Sequence, residues 1–389
     1  MTTSPDSVIY PKTPYGVLPQ DQNAFYGDSG TNKLPLQAPM LKWRKAIANV
    51  RTATARAKLL VVGDSTTMGA GAGTGGATNL NASFLRSFPT RMASVLNTTF
   101  VATNYNAIWG NQGCPITYAT YDPRAVFGVG WGMSGGGTLG NTFISFTNGG
   151  GIATFAFTPA LSFDRIDVWY YAAPGQGTFT TDVDGGASLG TTNTAIGTGF
   201  LKTTFTVAAG THTININAQN TGGLFISGII PYLSTTSAVD VIPAGWFGAL
   251  AGTINGSGSF GPLTALRALA PDCTVINLTI NDSNAATNID VYRNNMKSII
   301  NAAQESGDVV LMVGAPSNSV RATNGTLGLY VNVVYELAAS ESCAVVDMKR
   351  RWGSYDDIQP TFPYYDTLHP GNLAYADQGQ AVASALTFQ

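Results

Sequence analysis

The chain has 389 residues, 44% of them hydrophobic and 11% charged, which is enough apolar content for a buried core and too little charge for a disordered chain. Lys plus Arg number 20 against 22 Asp plus Glu, a formal net charge of −2, so nothing draws the molecule as a whole to nucleic-acid phosphates or anionic lipid. The length suits about two domains, or one domain with a large insertion.

No run of about 18 apolar residues occurs. The longest candidate, Val239 to Leu250, is interrupted by Pro243, Gly245 and Gly248, so no membrane-spanning helix is expected. Met1 to Asp6 show neither the basic start nor the apolar stretch of a secretory signal; an extracellular or virion-associated location is expected ahead of a cytoplasmic one, reached by another export route or with a signal already removed. Cys114, Cys273 and Cys343 are too scattered for a disulfide framework or a zinc site; Cys273 and Cys343 read as buried strand thiols.

Residues 1–40 are polar, Pro-rich and aperiodic, which predicts an extended arm. From 41 to 56, Leu41, Trp43, Ile47, Val50 and Thr54 recur at helical spacing beside Lys42, Arg44, Lys45, Arg51 and Arg56, a surface helix with a solvated basic face, or, as the alternative, a site for an acidic partner. Lys58 to Gly63 is a short apolar run ending in glycine, as expected of a strand buried on both faces of a parallel sheet. A helix is predicted over Phe84 to Asn97. Further on come strands Ala238 to Ile242, Cys273 to Ile280, Asp308 to Val313 and Cys343 to Asp347. Helices Ile289 to Glu305, Leu329 to Ser340 and one from about Ala374 alternate with them. This alternation implies right-handed βαβ crossovers and an α/β fold, a parallel sheet with helices on both sides.

Between about 123 and 235 charge becomes sparse and Gly, Thr and Phe alternate with period two. Ile152–Thr158, Phe163–Tyr170, Gly177–Asp184 and Thr211–Ala218 read as short strands between Gly or Pro turns. The domain organisation expected is therefore an arm over 1–40, an α/β domain over 41–122 and 237–389, and an inserted antiparallel β-sandwich, jelly-roll-like, over 123–236.

The chemistry begins at Gly63-Asp64-Ser65-Thr66. Directly after a buried strand, Ser65 falls at the carboxyl end of the sheet, where open α/β folds build their sites. A serine hydroxyl needs a base, and the only histidines are His212 and His369. Asp366 precedes His369 by three residues, so its carboxylate can hold one ring nitrogen and leave the other facing Ser65. His212 sits in the Thr-rich alternation and reads as structural or surface, with glycan contact as the alternative. Asn281, at the end of the strand over Cys273 to Ile280, can donate its amide to a developing oxyanion, a contribution of about 3 kcal/mol elsewhere. Asp282 reads as structural. Gly27-Asp28-Ser29-Gly30 repeats the first motif with no strand before it and reads as a turn.

Gly63-Asp64-Ser65, Asn281-Asp282 and Asp366-x-x-His369 together resemble the SGNH, or GDSL-type, hydrolase superfamily, over roughly residues 58–122 and 237–389. The resemblance implies a three-layer flavodoxin-like fold. It also implies an oxyanion hole made by the Ser65 N–H, a glycine N–H and the Asn281 side chain. Two glycines fit, Gly110 in Asn106–Gly110 and Gly248 after strand Ala238 to Ile242. Gly248 is preferred because the interval to Asn281 leaves room for one helix. Thr279 departs from the family, which has glycine there.

The expected reaction is ester hydrolysis through an acyl-enzyme on Ser65, with His369 as base and then acid and with no metal or organic cofactor. The insert, with Trp169, Tyr170, Tyr171 and Phe179, resembles the carbohydrate-binding-like modules of some glycan esterases of this superfamily, including examples from phage tails. Those aromatics either stack on sugars or fill a core. The leading expectation is an O-acetylesterase acting on an acetylated polysaccharide, with neither nucleic acid nor membrane as partner. The alternatives are a lipase or thioesterase, or a glycan-binding virion protein with a vestigial hydrolase domain. Homo-oligomerisation stays open, because no heptad or charge pattern specifies a subunit number.

Overall fold

In the computed structural model, which describes residues 40–109, 117–147, 153–219, 222–318 and 327–387, the strand Ala57–Gly63 (β1) forms the centre of a parallel sheet. The N-terminal arm, the Gly27-Asp28-Ser29-Gly30 repeat, Gly110 and Cys114 lie outside the described residues. The other strands of this sheet are Thr103–Asn104 (β2), Val239–Gly245 (β3), Cys273–Asn277 (β4), Asp308–Val313 (β5) and Ala344–Asp347 (β6), in the spatial order β6-β5-β4-β1-β3-β2. All neighbours pair in parallel. Every residue of β4 and β6 is buried, which explains why these strands are apolar runs rather than alternating ones.

From β1 the chain goes out to the edge strand β2, returns after the insert to β3 beside β1, and then crosses β1 to β4, β5 and β6. With right-handed crossovers, this reversal puts the helices on opposite faces. Leu41–Arg51 (α1) and Phe88–Thr99 (α2) share one side with Asn372–Leu386 (α6). Pro262–Leu269 (α3) and Leu327–Ser340 (α5) flank Ile289–Gln304 (α4) on the other. The reversal also makes the carboxyl end of β1 the topological switch point, where the flanking loops diverge into a crevice. Cys273 and Cys343 are free, buried thiols, as expected.

After β2 the chain leaves this sheet and builds two antiparallel ones. One runs Gly190–Asn193, Thr178–Val183, Ile214–Ala218, Ala153–Phe157, Ala125–Phe127. The other runs Gly199–Gly210, Phe163–Ala172, Leu224–Tyr232, Thr142–Phe146, Trp131–Gly135, and Ile108–Trp109 adds to Leu224–Tyr232. The fold is thus α/β with an inserted β-rich module. Arg124 pins the junction: its guanidinium pairs with the buried Asp122, donates to the carbonyls of Asn106 and Ala107, and lies over the Phe84 and Phe157 rings at 4.0 and 5.0 Å.

Three expected elements differ, the first being the helix over 41 to 56, which ends at Arg51 with Thr52 as its C-cap. The helix over Phe84 to Asn97 is broken: Ser83–Arg86 is a short 3-10 turn, Ser87 is extended, and the α-helix starts at Phe88 with Pro89 in its first turn. Proline there has no N–H to give to a preceding turn, so a continuous helix cannot pass through it. The strand expected over Cys273 to Ile280 stops at Asn277. The Leu278 carbonyl accepts from the Tyr292 hydroxyl (2.8 Å) instead of a sheet neighbour, and the chain turns into a short helix, Ile280–Asn284.

Candidate active site

At Gly63 the sheet hands over to a one-turn helix, Ser65–Met68, whose N-cap is Asp64. A Cβ on Gly63 would lie 2.0 Å from Thr67 Oγ1 and 2.8 Å from the Asn277 carbonyl, so this turn demands glycine. Asp64 Oδ1 accepts from Thr66 N (2.8 Å) and Thr66 Oγ1 (2.7 Å), while burial pushes the Asp64 carboxyl up. Ser65 is left as the residue on this turn that faces the C-terminal loop.

That loop, Tyr364 to Pro370, closes on itself through a bridge between its two ends and a bond from Tyr365 N to the His369 carbonyl (3.0 Å). Asp366 organises its interior. Oδ1 accepts from Leu368 N (2.7 Å) and His369 N (2.6 Å), and Oδ2 accepts from His369 Nδ1 (2.8 Å). Burial raises the Asp366 carboxyl, but the bonds from the His369 ring, His369 N and Leu368 N outweigh it and hold the group below its ordinary value. An ionised carboxylate only accepts, so Nδ1 carries the imidazole proton and Nε2 presents its lone pair. Nε2 lies 3.0 Å from Ser65 Oγ. Ser65 and His369 are 3% and 6% exposed.

The loop after β3 borders the same spot. Trp246 N donates to the Gly63 carbonyl (2.8 Å), and the half-buried Phe247 ring stacks on the His369 imidazole. Gly248 follows, exposed and left-handed at φ +77, with nothing within 4 Å of where a Cβ would be; its glycine is required by backbone conformation and not by crowding. Asn281 Nδ2 donates to the carbonyl of Ala249, the next residue (3.0 Å). One amide proton of Asn281 is thereby used to hold the loop and the second is left over. Asp282 Oδ2 accepts from Ala251 N (2.7 Å), in keeping with a structural role. Thr279 has φ −133, outside the left-handed region that favours glycine.

The structure therefore brings together Ser65, Asp366 and His369, with Gly248 on the loop after β3 and Asn281 not at the strand end but in the short helix Ile280–Asn284. His212 stands apart in the insert, its Nδ1 2.6 Å from Asp184 Oδ2 and its Nε2 3.1 Å from the Ala208 carbonyl. Trp169, Tyr170, Tyr171 and Phe179 are buried, which makes them core and removes them as a sugar-stacking face. Two participants lacked a motif, Phe247 and Asn277, and Thr66 lies in the first motif without a role that the sequence shows.

Residues 232–376 match the model of the GDSL-like lipase/acylhydrolase family. Over that stretch the chain is similar to the SGNH, or GDSL-type, hydrolases. The match begins at the end of the insert strand Leu224–Tyr232 and takes in Asp366 and His369 but not Ser65. No curated protein matches the chain. Among solved structures, one of a peptidoglycan O-acetylesterase is similar over 90% of this chain and 95% of its own, with a TM-score of 0.64 at 14% identity, which shows a shared fold. A family two carbohydrate esterase from Cellvibrio japonicus covers 72% of this chain and 98% of its own, with 11% identity and a TM-score of 0.29. One from Clostridium thermocellum in complex with cellohexaose covers 67% and 97%, with 13% identity and a TM-score of 0.28.

Proposed function

We propose that this chain is an SGNH-type serine esterase that removes O-acetyl groups from a polysaccharide, with Ser65 as nucleophile, His369 as base and Asp366 as the acceptor that orients it. The observation that carries this reading is the unbroken sequence of contacts from Ser65 Oγ through His369 to Asp366, 3.0 Å and then 2.8 Å.

The cycle follows from the groups present. Ser65 Oγ bonds to the ester carbonyl carbon as its proton passes to His369 Nε2. The negative charge that forms on the carbonyl oxygen is met by the Ser65 and Gly248 N–H groups and the second Asn281 amide proton. Neither backbone N–H donates to a backbone carbonyl among the described residues. When the tetrahedral species collapses, the C–O bond to the sugar breaks and His369 gives its proton to the departing oxygen. Water then adds to the acetyl-Ser65 carbonyl, losing a proton to His369, and acetate leaves as Ser65 Oγ recovers that proton. No step calls on a metal or organic cofactor.

The substrate class is supported by architecture. The similarity to the peptidoglycan O-acetylesterase spans 90% of the chain and so takes in the β-rich insert as well as the hydrolase sheet. We assign residues 123–236 a role in presenting the polysaccharide. The test is acetate release from O-acetylated peptidoglycan and acetylated xylan, set beside p-nitrophenyl esters from acetate to octanoate. Acetate release with a preference for the acetyl ester is expected; a preference for octanoate would overturn the substrate assignment in favour of a lipase or thioesterase.

A further inference from the structure

We propose that Asn277 is a positioning residue for the nucleophile, holding the turn around Ser65 from the neighbouring strand through the hydroxyls of Thr66 and Thr67. The inference rests on Ser65 being the nucleophile, and goes beyond it to a residue that belongs to none of the recognisable motifs.

Asn277 ends β4 and stands in register beside Gly63, the last residue of β1. Its side chain is 1% exposed, so its amide protons have no water to turn to. Nδ2 donates to Thr66 Oγ1 (2.9 Å) and to Thr67 Oγ1 (3.1 Å), which uses both protons. Thr66 Oγ1 in turn donates a hydrogen bond to Asp64 Oδ1 (2.7 Å), and the same carboxylate oxygen accepts from Thr66 N (2.8 Å). A directed chain of bonds therefore runs from Asn277 through Thr66 to Asp64. The residue before Ser65 and the two after it are each tied by a side chain.

The geometry of Gly63 gives this arrangement its tightness. Thr67 Oγ1 occupies the space a Cβ on Gly63 would need, so the hydroxyl that receives the Asn277 amide is packed directly onto the backbone of β1. Neither the strand end nor the turn can shift without breaking these bonds. Ser65 is the one residue of the four whose side chain is free of the clamp, and it points to His369 instead. A nucleophile that must meet both a base and an oxyanion site within tenths of an ångström benefits from this, since a 1 Å displacement can cost about 100-fold in rate.

Asn277→Leu keeps the branching of the side chain and removes both bonds; Thr67→Val removes one of them, and Thr66→Val removes the other together with the bond to Asp64, each with little change of shape. Four quantities are read: kcat and KM on p-nitrophenyl acetate, thermal midpoint, and the rate at which a fluorophosphonate modifies Ser65 per folded molecule. Expected for Asn277→Leu and Thr66→Val are a kcat lower by about 100-fold with KM within about twofold, a matching fall in the phosphonylation rate, and a double variant no worse than the poorer single one. Phosphonylation at the wild-type rate in folded variants would mean that Asn277 serves stability alone and would overturn the proposal. Should Asn277→Leu fail to fold, the two valine variants decide by the same criterion. If wild-type Ser65 does not react with the reagent, the esterase reading fails and the positioning role falls with it, an outcome distinct from unreactive variants of a reactive parent.

Discussion

The Phe247 ring lies nearly parallel to the His369 imidazole, with centroids 6.1 Å apart and an interplanar angle of 26°. Asp366 fixes that imidazole from one edge, and Phe247 limits its tilt from the face. Replacing Phe247 by Ala removes the face contact and leaves the Asp366 bond intact. The expected result is a kcat on p-nitrophenyl acetate lower by roughly five- to twentyfold with KM little changed. Wild-type kcat would show that Asp366 alone is enough to hold the ring.

Asp366→Asn leaves the loop shape but puts an amide where Nδ1 needs an acceptor, which disfavours the tautomer with its lone pair toward Ser65. A fall of about 10⁴ in kcat is expected. The same carboxyl carries a pH signature. Its value in the folded chain is held below the ordinary 3.8, so its contribution to stability is complete above that value and is lost as pH falls through the lower folded-state one. Denaturant unfolding between pH 3 and 7 should show wild type more stable than Asp366→Asn at pH 7, with the gap closing at the acid end.

Gly248→Ala places a side chain at φ +77, where the left-handed backbone costs about 1–2 kcal/mol. Because there is open space around the position, the strain would be relieved by moving the loop and with it the Gly248 N–H. A kcat lower by about 10- to 100-fold, with the thermal midpoint down by only a few degrees, is the expected outcome. Unchanged kcat would remove Gly248 from the oxyanion site.

Asp347 is a buried carboxylate away from the reacting groups, capping the turn after β6 through Arg350 N (2.7 Å) and accepting from the Tyr335 hydroxyl (2.7 Å). Burial raises it from 3.8 to about 6, against the pull of those two donors. The folded chain thus keeps this proton to higher pH than the unfolded chain does. Its stabilisation is present below pH 3.8 and is lost as pH rises through about 6, a fall of about 3 kcal/mol across that window. Unfolding free energies of Asp347→Asn measured over the same range should lack that slope.

What could be read from the sequence was what is local. Asp366 and His369 are three residues apart on one closed loop, and Ser65 follows a short apolar run ending in glycine, as a doubly covered strand does, so both halves of the site announce themselves within a few residues. Asn277 escaped because its partners, Thr66 and Thr67, are 211 and 210 residues away in the chain. The end of β4 was misplaced because Leu278 and Ile280 prolong the apolar run; the signal that stops the strand, the Tyr292 hydroxyl on the Leu278 carbonyl, comes from another helix. Trp169, Tyr170 and Tyr171 kept two readings because three consecutive aromatics occupy both faces of a strand, and only the packing of the hydrolase domain against the insert buries both.

The central claim is that Ser65 is a nucleophile activated by His369. Treating the protein with a fluorophosphonate and mapping the adduct by peptide mass spectrometry tests it most directly. The account predicts one modified residue, Ser65, with modification lost in His369→Ala. An unmodified Ser65, or equal labelling in the His369 variant, would contradict it.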